Sequence, residues 1–368
     1  MEIIIPILSF ILGYFAEKVM DKISEKFFQQ YKIRKNRRFK DKIEKKYNIN
    51  AIFTEDIYPC ISEEDIWIKE NGKKMFLSFP DNLKTYLKSI EGEFKSEDQF
   101  FCELTLPGYT SEEISNAIEL AREEIAIKFI ERQDGLYFNG DKLGIVFLDS
   151  KSRSMDVRET PQLFVELFRT DHFSHRVITR AIEILGLSKE IISEHSLNNE
   201  LNWIRTSFGI SIIIVLKSTN QIIMTHRSKN ASFCNGKNWI YVSATEAFSH
   251  ADIDEYESIP SFSLCVIRGI KEELGIDKGM YHHDDIKFYD CFFETEFFQD
   301  GIVASLELSE KILPQDILNF RAKDKRLEIE DIFFIDNTKS AIKKFIEENH
   351  TDMRSQTIFA LESYLSSL

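Results

Sequence analysis

The sequence is poor in the residues that break regular structure, with 7 prolines and 14 glycines among 368 residues. This scarcity argues against long disordered linkers. The chain also has no internal repeat and no glycine-rich phosphate-binding loop, which excludes solenoid folds and P-loop nucleotide hydrolases. What it does contain is 43% hydrophobic residues and 31 phenylalanines, enough material for a packed core with sheets.

Cysteine is sparse and scattered. The five cysteines are Cys60, Cys102, Cys234, Cys265 and Cys291. None form the close pairs that bind zinc, and a chain of this length does not need disulfide staples. We therefore expect reduced thiols in a cytosolic compartment.

Charge is unevenly distributed along the chain. The net charge is −14, yet residues 17–46 contain twelve Lys and Arg against five Asp and Glu. The acidic remainder would repel phosphate backbones, so the composition argues against binding to a nucleic-acid duplex.

The N-terminus pairs an apolar run with this basic segment. Residues 3–16 contain no charged side chain, and we predict a transmembrane helix over residues 1–20 followed by a basic juxtamembrane helix over residues 21–47. Because basic residues flank membrane spans on the cytoplasmic side, the body is predicted in the cytoplasm, anchored to the inner membrane by a single pass. The helix would contact membrane lipids. The alternative is a soluble amphipathic helix that packs on the body or on a partner subunit.

The middle segment, residues 48–198, has the pattern of a mixed α/β domain of unknown role. Thr110 and Glu113 form a capping box for a helix that ends near Arg132, with an apolar stripe at helical spacing. A second helix is predicted over Phe173–Leu185, ended by Gly186.

Two further features of the middle segment are local. Apolar stretches at residues 136–138 and 143–148 flank Asn139-Gly140-Asp141, which predicts a hairpin. His172 and His175 are spaced as a metal pair on a helix would be, but no third ligand accompanies them. Surface or capping histidines are therefore the preferred interpretation.

The last segment, residues 199–368, shows an ordered series of strands around one helix. An apolar strand at residues 208–216 and a second at 222–225 predict a hairpin, and the aromatic strand Trp239–Ser243 follows. A helix is predicted from Ser261 to Gly275, then strands at 287–293, 303–308 and 331–336 before a helical tail.

Within this helix, residues 268–276 (RGIKEELGI) resemble the second half of a Nudix box. This box is the signature of hydrolases that act on nucleoside-diphosphate-linked substrates. The resemblance covers roughly 170 residues, because the flanking strands agree with the family order. It implies an α/β (α+β) fold in which a C-terminal Nudix-like mixed-sheet sandwich follows the mixed α/β domain and the membrane helix.

The resemblance also implies a set of site residues. Glu272 and Glu273 would be the ligands of Mg²⁺, a cation that prefers oxygen donors, and Arg268 would brace them. Glu307 or Glu310 would supply a distant carboxylate.

The sequence departs from the family pattern in two places. Gly269 stands where the family has a glutamate, so a metal ligand and possible base are missing, and the upstream half of the box is absent. A glycine inside a helix costs about 1 kcal/mol relative to alanine, so we expect another group to pack closely against that turn.

The predicted substrate pocket lies between Arg227, the aromatic strand and the helix of Arg268. Trp239 and Tyr241 would stack a base, and Arg227 would meet phosphate. Because alternate strand residues share a face, the two rings are either both available or both part of the core.

Three functions fit these features. The first is a nucleotide receptor with a partly lost metal site; the second is a Mg²⁺-dependent Nudix-type hydrolase in which water or the acidic loop near Asp252 replaces the missing carboxylate. The third is a structural module for membrane-proximal assembly. With its anchor, the chain resembles membrane-anchored effectors of bacterial cyclic-oligonucleotide antiphage systems. This resemblance favours the first function, with a cyclic nucleotide as ligand and a homo-oligomer as the acting form.

Overall fold

The structure is a computed structural model. It describes residues 31, 34, 38–42, 45, 46, 49–52, 61, 63–151, 162–187, 192, 197–228, 231, 239–253, 259–323 and 325–368. Within these residues the chain is a mixed α/β protein built around two larger sheets, and the predicted fold class is confirmed at this level.

The larger sheet belongs mainly to the C-terminal segment. Its strands follow the order β1-β11-β12-β7-β8-β13, with β10 added to β7 and β9 added to β8. The strands are β1 (Ile49–Ile52), β7 (Phe208–Leu216), β8 (Gln221–Arg227), β9 (Ile240–Tyr241), β10 (Ala244–Ala247), β11 (Lys287–Glu294), β12 (Gln299–Leu308) and β13 (Ile329–Asp336). All predicted strands of this segment are therefore confirmed, with small changes of boundary.

The β7–β8 hairpin is confirmed, but it opens after two residue pairs. Val215 pairs with Ile222 and Leu216 with Gln221. Beyond them β7 pairs with β10 instead, with Ala244 opposite Ile212. Every residue of β7 is buried, as its unbroken apolar sequence predicts.

Helices cover the C-terminal sheet. Two hydrophobic clusters lie within the described residues, and one of them includes the C-terminal helix. The helices of this segment are α3 (Phe262–Leu274), α4 (Pro314–Asn319), α5 (Lys325–Glu328), α6 (Lys339–Asn349) and α7 (Ser355–Ser367).

The middle segment forms the second sheet, in the order β2-β6-β5, and carries two helices. Its elements are β2 (Ile66–Lys74), β3 (Glu91–Gly92), α1 (Ser111–Glu131), β4 (Phe138–Asn139), β5 (Asp141–Lys151), β6 (Gln162–Asp171) and α2 (His172–Leu185). Both predicted helices are confirmed. The Thr110–Glu113 capping box is formed, and Gly186 ends α2 in the left-handed conformation.

The predicted hairpin around Asn139-Gly140-Asp141 is wrong. β4 pairs with β3, and β5 pairs along its whole length with β6. The physical reason is the Asn139 side chain, whose amide nitrogen lies 3.1 Å from Asp171 and whose oxygen accepts the Phe173 N–H at 2.8 Å. Asn139 therefore fixes the start of α2 instead of forming a turn.

The two sheets share one hydrophobic core. Leu143 N–H donates to Phe248 O at 2.9 Å, and Ile145 N–H donates to Arg205 O at 2.9 Å. In addition, β1 precedes the middle segment in sequence but pairs with β11 of the C-terminal sheet. The segments on the two sides of the predicted boundary near residue 198 are therefore in direct contact.

The predicted transmembrane helix over residues 1–20 lies outside the described residues. Of the basic segment, residues 38–42 are helical. There Phe39 contacts Phe359, with ring centroids 6.2 Å apart, and Lys42 Nζ lies 3.1 Å from Glu362. Among the residues that the structure describes, no helix has the length and apolar content needed to cross a bilayer.

Candidate functional site

Capping residues define both ends of α3, the helix that bears the predicted site residues. Ser261 caps its N-terminus by accepting the Leu264 N–H at 3.1 Å. Gly275 ends it with a φ of 73°, a conformation that favours glycine. A Cβ at this position would also lie 2.5 Å from Arg321 O, so Gly275 allows the 320–323 loop to approach the helix end.

Gly269 allows a second close approach. A Cβ added there would lie 2.7 Å from the Cβ of Glu246 and 3.5 Å from Ile212, and real Cβ atoms do not come as close as the first of these distances. The expectation that something packs closely against this turn is confirmed. The group is Glu246 on β10, so a strand carboxylate lies beside the position where the family has its helical glutamate.

Arg268 lies at the centre of a carboxylate cluster. Its Nε and Nη2 donate to the two oxygens of Asp252, both at 2.8 Å, and Nη2 also donates to Ala247 O at 2.7 Å. Its Nη1 lies 2.9 Å from Glu246 and 3.5 Å from Glu272. One guanidinium thus contacts three carboxylates. Its pair with Asp252 has the bidentate geometry that is typical of strong ion pairs.

Glu273 faces away from this cluster, toward the sheet. It is buried, accepts the Thr245 N–H at 3.1 Å, and lies 4.0 Å from Nη1 of Arg227. Arg227 also contacts Glu328, at 2.6 Å. The two neighbouring glutamates of α3 therefore use different arginines.

Burial governs the electrostatics of the cluster. It raises the pKa of Glu246 to about 7 against the opposing charge of Arg268. It also raises the pKa of Glu273 well above its ordinary value, with a further contribution from the charge of Glu328. The pKa of Arg268 is lowered by burial, but its hydrogen bonds to Asp252 and the charge of Glu246 outweigh this and raise it overall.

The predicted Mg²⁺ ligands do not converge in this arrangement. Glu272 contacts Arg268 and, at 3.8 Å, Lys323, whereas Glu273 is buried against Thr245 and Arg227. Across the part of the chain that the structure describes, no three His, Cys, Asp or Glu side chains are grouped as a metal site would require. The magnesium site stays a prediction.

A cavity of about 470 Å³ opens on the outer face of α3. It lies between this helix and the 320–323 loop. Its charged lining consists of Arg268, Lys271, Glu272, Asp277, Arg321 and Lys323. Four of these six side chains are cationic, a composition suited to an anionic ligand.

The residues of the aromatic strand contact different partners from those of the residues on α3. Tyr241 is buried, its hydroxyl accepts from Arg354 Nη1 at 3.2 Å, and the guanidinium of Arg227 lies 5.1 Å from its ring centre. Trp239 is half-buried, and its carbonyl oxygen accepts the Arg227 N–H at 2.8 Å. The structure therefore brings Arg227, Trp239 and Tyr241 together, with Tyr241 covered by Arg227.

The remaining predicted residues lie elsewhere. Glu307 contacts Lys217 at 2.8 Å and lines a different cavity with Tyr289 and Tyr364, while Glu310 is exposed. His175 is buried with Nδ1 2.9 Å from Thr206 Oγ1, so it is a core residue and not the surface or capping histidine that the sequence favoured.

Sequence reasoning missed Glu246 and Glu328, and it named Asp252 only as part of an acidic loop. Gly269 was the available signal for Glu246, because a helical glycine indicates a close neighbour. Glu328 lies on the four-residue helix α5, which has no comparable signal.

Comparisons with known proteins do not identify a family for this chain. No family model matches the chain, and no curated protein matches it. Among solved structures, DR0079 from Deinococcus radiodurans is similar with a TM-score of 0.30 and 14% identity, over 43% of this chain and 82% of that chain. A TM-score this low carries no argument about fold or function.

Proposed function

We propose that the chain is a membrane-anchored Nudix-like receptor that binds a phosphate-bearing nucleotide in the cavity beside α3 without hydrolysing it. In this proposal the ligand is a cyclic-oligonucleotide second messenger, and the protein acts at the inner membrane as an antiviral defence effector and as a homo-oligomer. In this proposal the C-terminal segment is the Nudix-like domain, and the residues RGIKEELGI and the strand order of the segment support this.

One observation carries the choice of receptor over hydrolase. The carboxylates that would hold a metal contact arginines of the protein instead, since Arg268 contacts Glu272 and Glu246 while Arg227 contacts Glu273. A buried or half-buried carboxylate with a good cationic partner has less need of a metal. Cationic side chains along the cavity then provide charge for phosphate groups.

The membrane part of the proposal rests on the sequence. The uncharged run at residues 3–16 and the basic segment after it are the pattern of a single-pass anchor with a cytoplasmic body. A receptor that reports to the bilayer requires such an anchor, whereas a soluble housekeeping hydrolase does not.

A Mg²⁺-dependent Nudix-type hydrolase is the second candidate, favoured by Glu246. This carboxylate lies beside Gly269, where the family glutamate is missing, and burial raises its pKa to about 7. A carboxylate with such a pKa suits proton transfer at neutral pH.

The test uses the full chain in detergent micelles with Mg²⁺, a panel of cyclic oligonucleotides and linear nucleoside diphosphate derivatives. Thermal shift and product formation are both recorded. We expect one cyclic oligonucleotide to raise the melting temperature with no product, and Arg321→Ala to weaken this effect. Lys311→Ala is the matched control, because Lys311 is exposed and outside the cavity.

Metal-dependent turnover that Glu272→Gln abolishes would establish the hydrolase and reject the receptor. Neither binding nor turnover across the panel would reject both and leave the membrane-proximal assembly module. The membrane step is tested separately, since the ligand should release dye from lipid vesicles that contain the full chain but not from vesicles with a chain lacking residues 1–20.

A further inference from the structure

The C-terminal helix α7 is covered on more sides than one sheet can cover. All nine residues from Gln356 to Tyr364 are buried, whereas a helix that packs on one face of a sheet normally exposes its opposite face. The sheet provides part of the cover, because Phe359 contacts Phe292 of β11 with ring centroids 4.9 Å apart. Other parts of the chain therefore lie on the remaining surface of α7.

Part of that cover comes from the basic segment, through its helical residues 38–42. Phe39 contacts the ring of Phe359, with centroids 6.2 Å apart, and Lys42 Nζ donates to both oxygens of Glu362, at 3.1 and 3.4 Å. The two contacts are three residues apart on each helix, so one side of each helix makes both. Residues 38–42 and α7 therefore pack as a pair of helices, through one apolar and one charged contact.

The two sides of this contact differ in exposure. Phe359 is fully buried and the side chain of Glu362 is 9% exposed, whereas Phe39 is half-buried and the side chain of Lys42 is 57% exposed. The basic segment thus lies on the surface of the body, and α7 lies beneath it. Separation of the segment would give Glu362 access to water, so its carboxylate would not be left buried without a partner.

An anionic membrane surface would attract the same segment. Residues 17–46 contain twelve Lys and Arg against five Asp and Glu, and anionic lipids attract basic segments that lie next to a membrane anchor. Helices at the bilayer surface place phenylalanine among the lipids and lysine at the headgroups. Because the ring of Phe39 cannot contact Phe359 and lipid at once, the body and the bilayer compete for this segment.

We propose that residues 38–42 and α7 form a latch that an anionic phospholipid surface opens. In the closed state both contacts with α7 are made; in the open state Phe39 and Lys42 contact lipid, and α7 is uncovered. Anionic lipid shifts the equilibrium because it binds the open state. β1 begins at Ile49 and pairs with β11, so the segment stays tethered to the sheet in both states. This inference rests on the membrane location in the proposed function but not on the nucleotide.

The experiment places a tryptophan reporter in the full chain. Phe39→Trp is reconstituted into vesicles of phosphatidylcholine with brominated acyl chains, which quench a tryptophan that enters the bilayer. The parent chain supplies the signal of the three native tryptophans. With phosphatidylcholine alone we expect the added fluorescence to remain, and with phosphatidylglycerol included we expect most of it to be lost.

Phe345→Trp is the matched control for the reporter. Phe345 is also half-buried and packs against the same hydrophobic cluster as Phe39, but it lies on α6. Its added fluorescence should remain in both kinds of vesicle. The melting temperature of each variant shows whether the chain folds.

The ion pair provides a second test. Glu362→Gln weakens the closed state, so the Phe39→Trp reporter in that background should be quenched at a lower fraction of phosphatidylglycerol. Glu348→Gln is its control, since Glu348 is 60% exposed and pairs with Lys344 within α6. An identical dependence on phosphatidylglycerol with and without Glu362→Gln would contradict the latch.

The outcomes separate the latch from the proposed function. Equal quenching with and without phosphatidylglycerol, or none in either, overturns the latch. Quenching in neutral vesicles after addition of soluble glycerol phosphate also overturns it, because the partner would then be a soluble anion. Flotation of the vesicles tests the anchor separately: a chain that does not float with neutral vesicles rejects the single-pass anchor, while quenching that requires phosphatidylglycerol still supports the latch. No nucleotide is present, so the receptor stands or fails on its own test.

Discussion

Two arginine clusters in this protein differ in how their charges balance. Arg205 is fully buried between the two sheets, where its Nη2 lies 2.5 Å from Asp300 and its Nη1 donates to Asn198 at 2.9 Å. Arg268 is 21% exposed and contacts three carboxylates, those of Asp252, Glu246 and Glu272.

The difference separates a structural pair from a candidate site. In a buried pair of one cation and one carboxylate, removal of either partner destabilises the fold because it leaves an uncompensated buried charge. A cluster with more carboxylates than cations and access to solvent has a carboxylate that can take up a proton. Stability should therefore depend on Asp300, and pH response or binding should depend on Glu246 and its neighbours.

The largest expected effect is on the buried pair. Asp300→Ala leaves Arg205 buried without its carboxylate, and we expect the free energy of unfolding to fall by about 3–5 kcal/mol. Urea denaturation followed by tryptophan fluorescence measures it. Glu272→Ala is the comparison, because its carboxylate is 30% exposed and Arg268 keeps two other partners; its cost should stay below about 1 kcal/mol. Similar losses for both variants would contradict the distinction.

The next effect is a pH dependence at the candidate site. Glu246 has a pKa of about 7 in the folded chain and an ordinary value of 4.5, so folding favours its protonated form. Its contribution to the free energy of unfolding falls as pH rises from about 4.5 to about 7. Glu246→Gln removes this fall, so its stability relative to the parent chain should rise across that window by on the order of 1–3 kcal/mol. Parallel profiles of stability against pH in the two proteins would refute the assignment.

A smaller effect tests the contact that shapes the site. Gly269→Ala gains about 1 kcal/mol of helix propensity, but its Cβ would meet Glu246 at an overpacking cost of about 1–3 kcal/mol. We expect a net loss of about 1 kcal/mol in thermal or urea denaturation. In a Glu246→Gly background the nearest remaining atom is 3.5 Å away, so the same change should become stabilising. A loss that persists there would show that Glu246 is not the cause.

The smallest effect concerns the rim of the cavity. Lys271 is 65% exposed and contacts Asp277 at 3.1 Å. Lys271→Ala should change the free energy of unfolding by no more than about 0.5 kcal/mol, whatever it does to ligand binding. A larger loss in urea denaturation would place this lysine with the structural pairs.

Local signals account for the parts of the fold that the sequence predicts well. The Thr110–Glu113 capping box and the stop at Gly275 each depend on a few adjacent residues, and both helices form where predicted. The hairpin at Asn139-Gly140 failed because the same short motif serves a non-local role, binding Asp171 and Phe173.

The sequence predicts the residues of the candidate site that lie on α3, but it does not predict their partners on other elements. Arg268, Glu272 and Glu273 follow from one helical motif. Their partners come from distant positions, and β10, which carries Glu246, is four residues with little β-propensity. That strand forms because β7 has a free edge there, which depends on tertiary structure and not on the residues of β10.

The pairing of β1 with β11 sets a constraint on synthesis at the ribosome. Ile49–Ile52 meet partners at Cys291–Glu294, about 240 residues later, which translation at about 5–20 residues per second separates by roughly 12–50 s. Throughout that interval the residues of β1 lack their pairing partner. Early release of the chain before β11 would leave Ile49–Ile52 without the strand that pairs with them, and an unpaired strand edge can pair with other polypeptides.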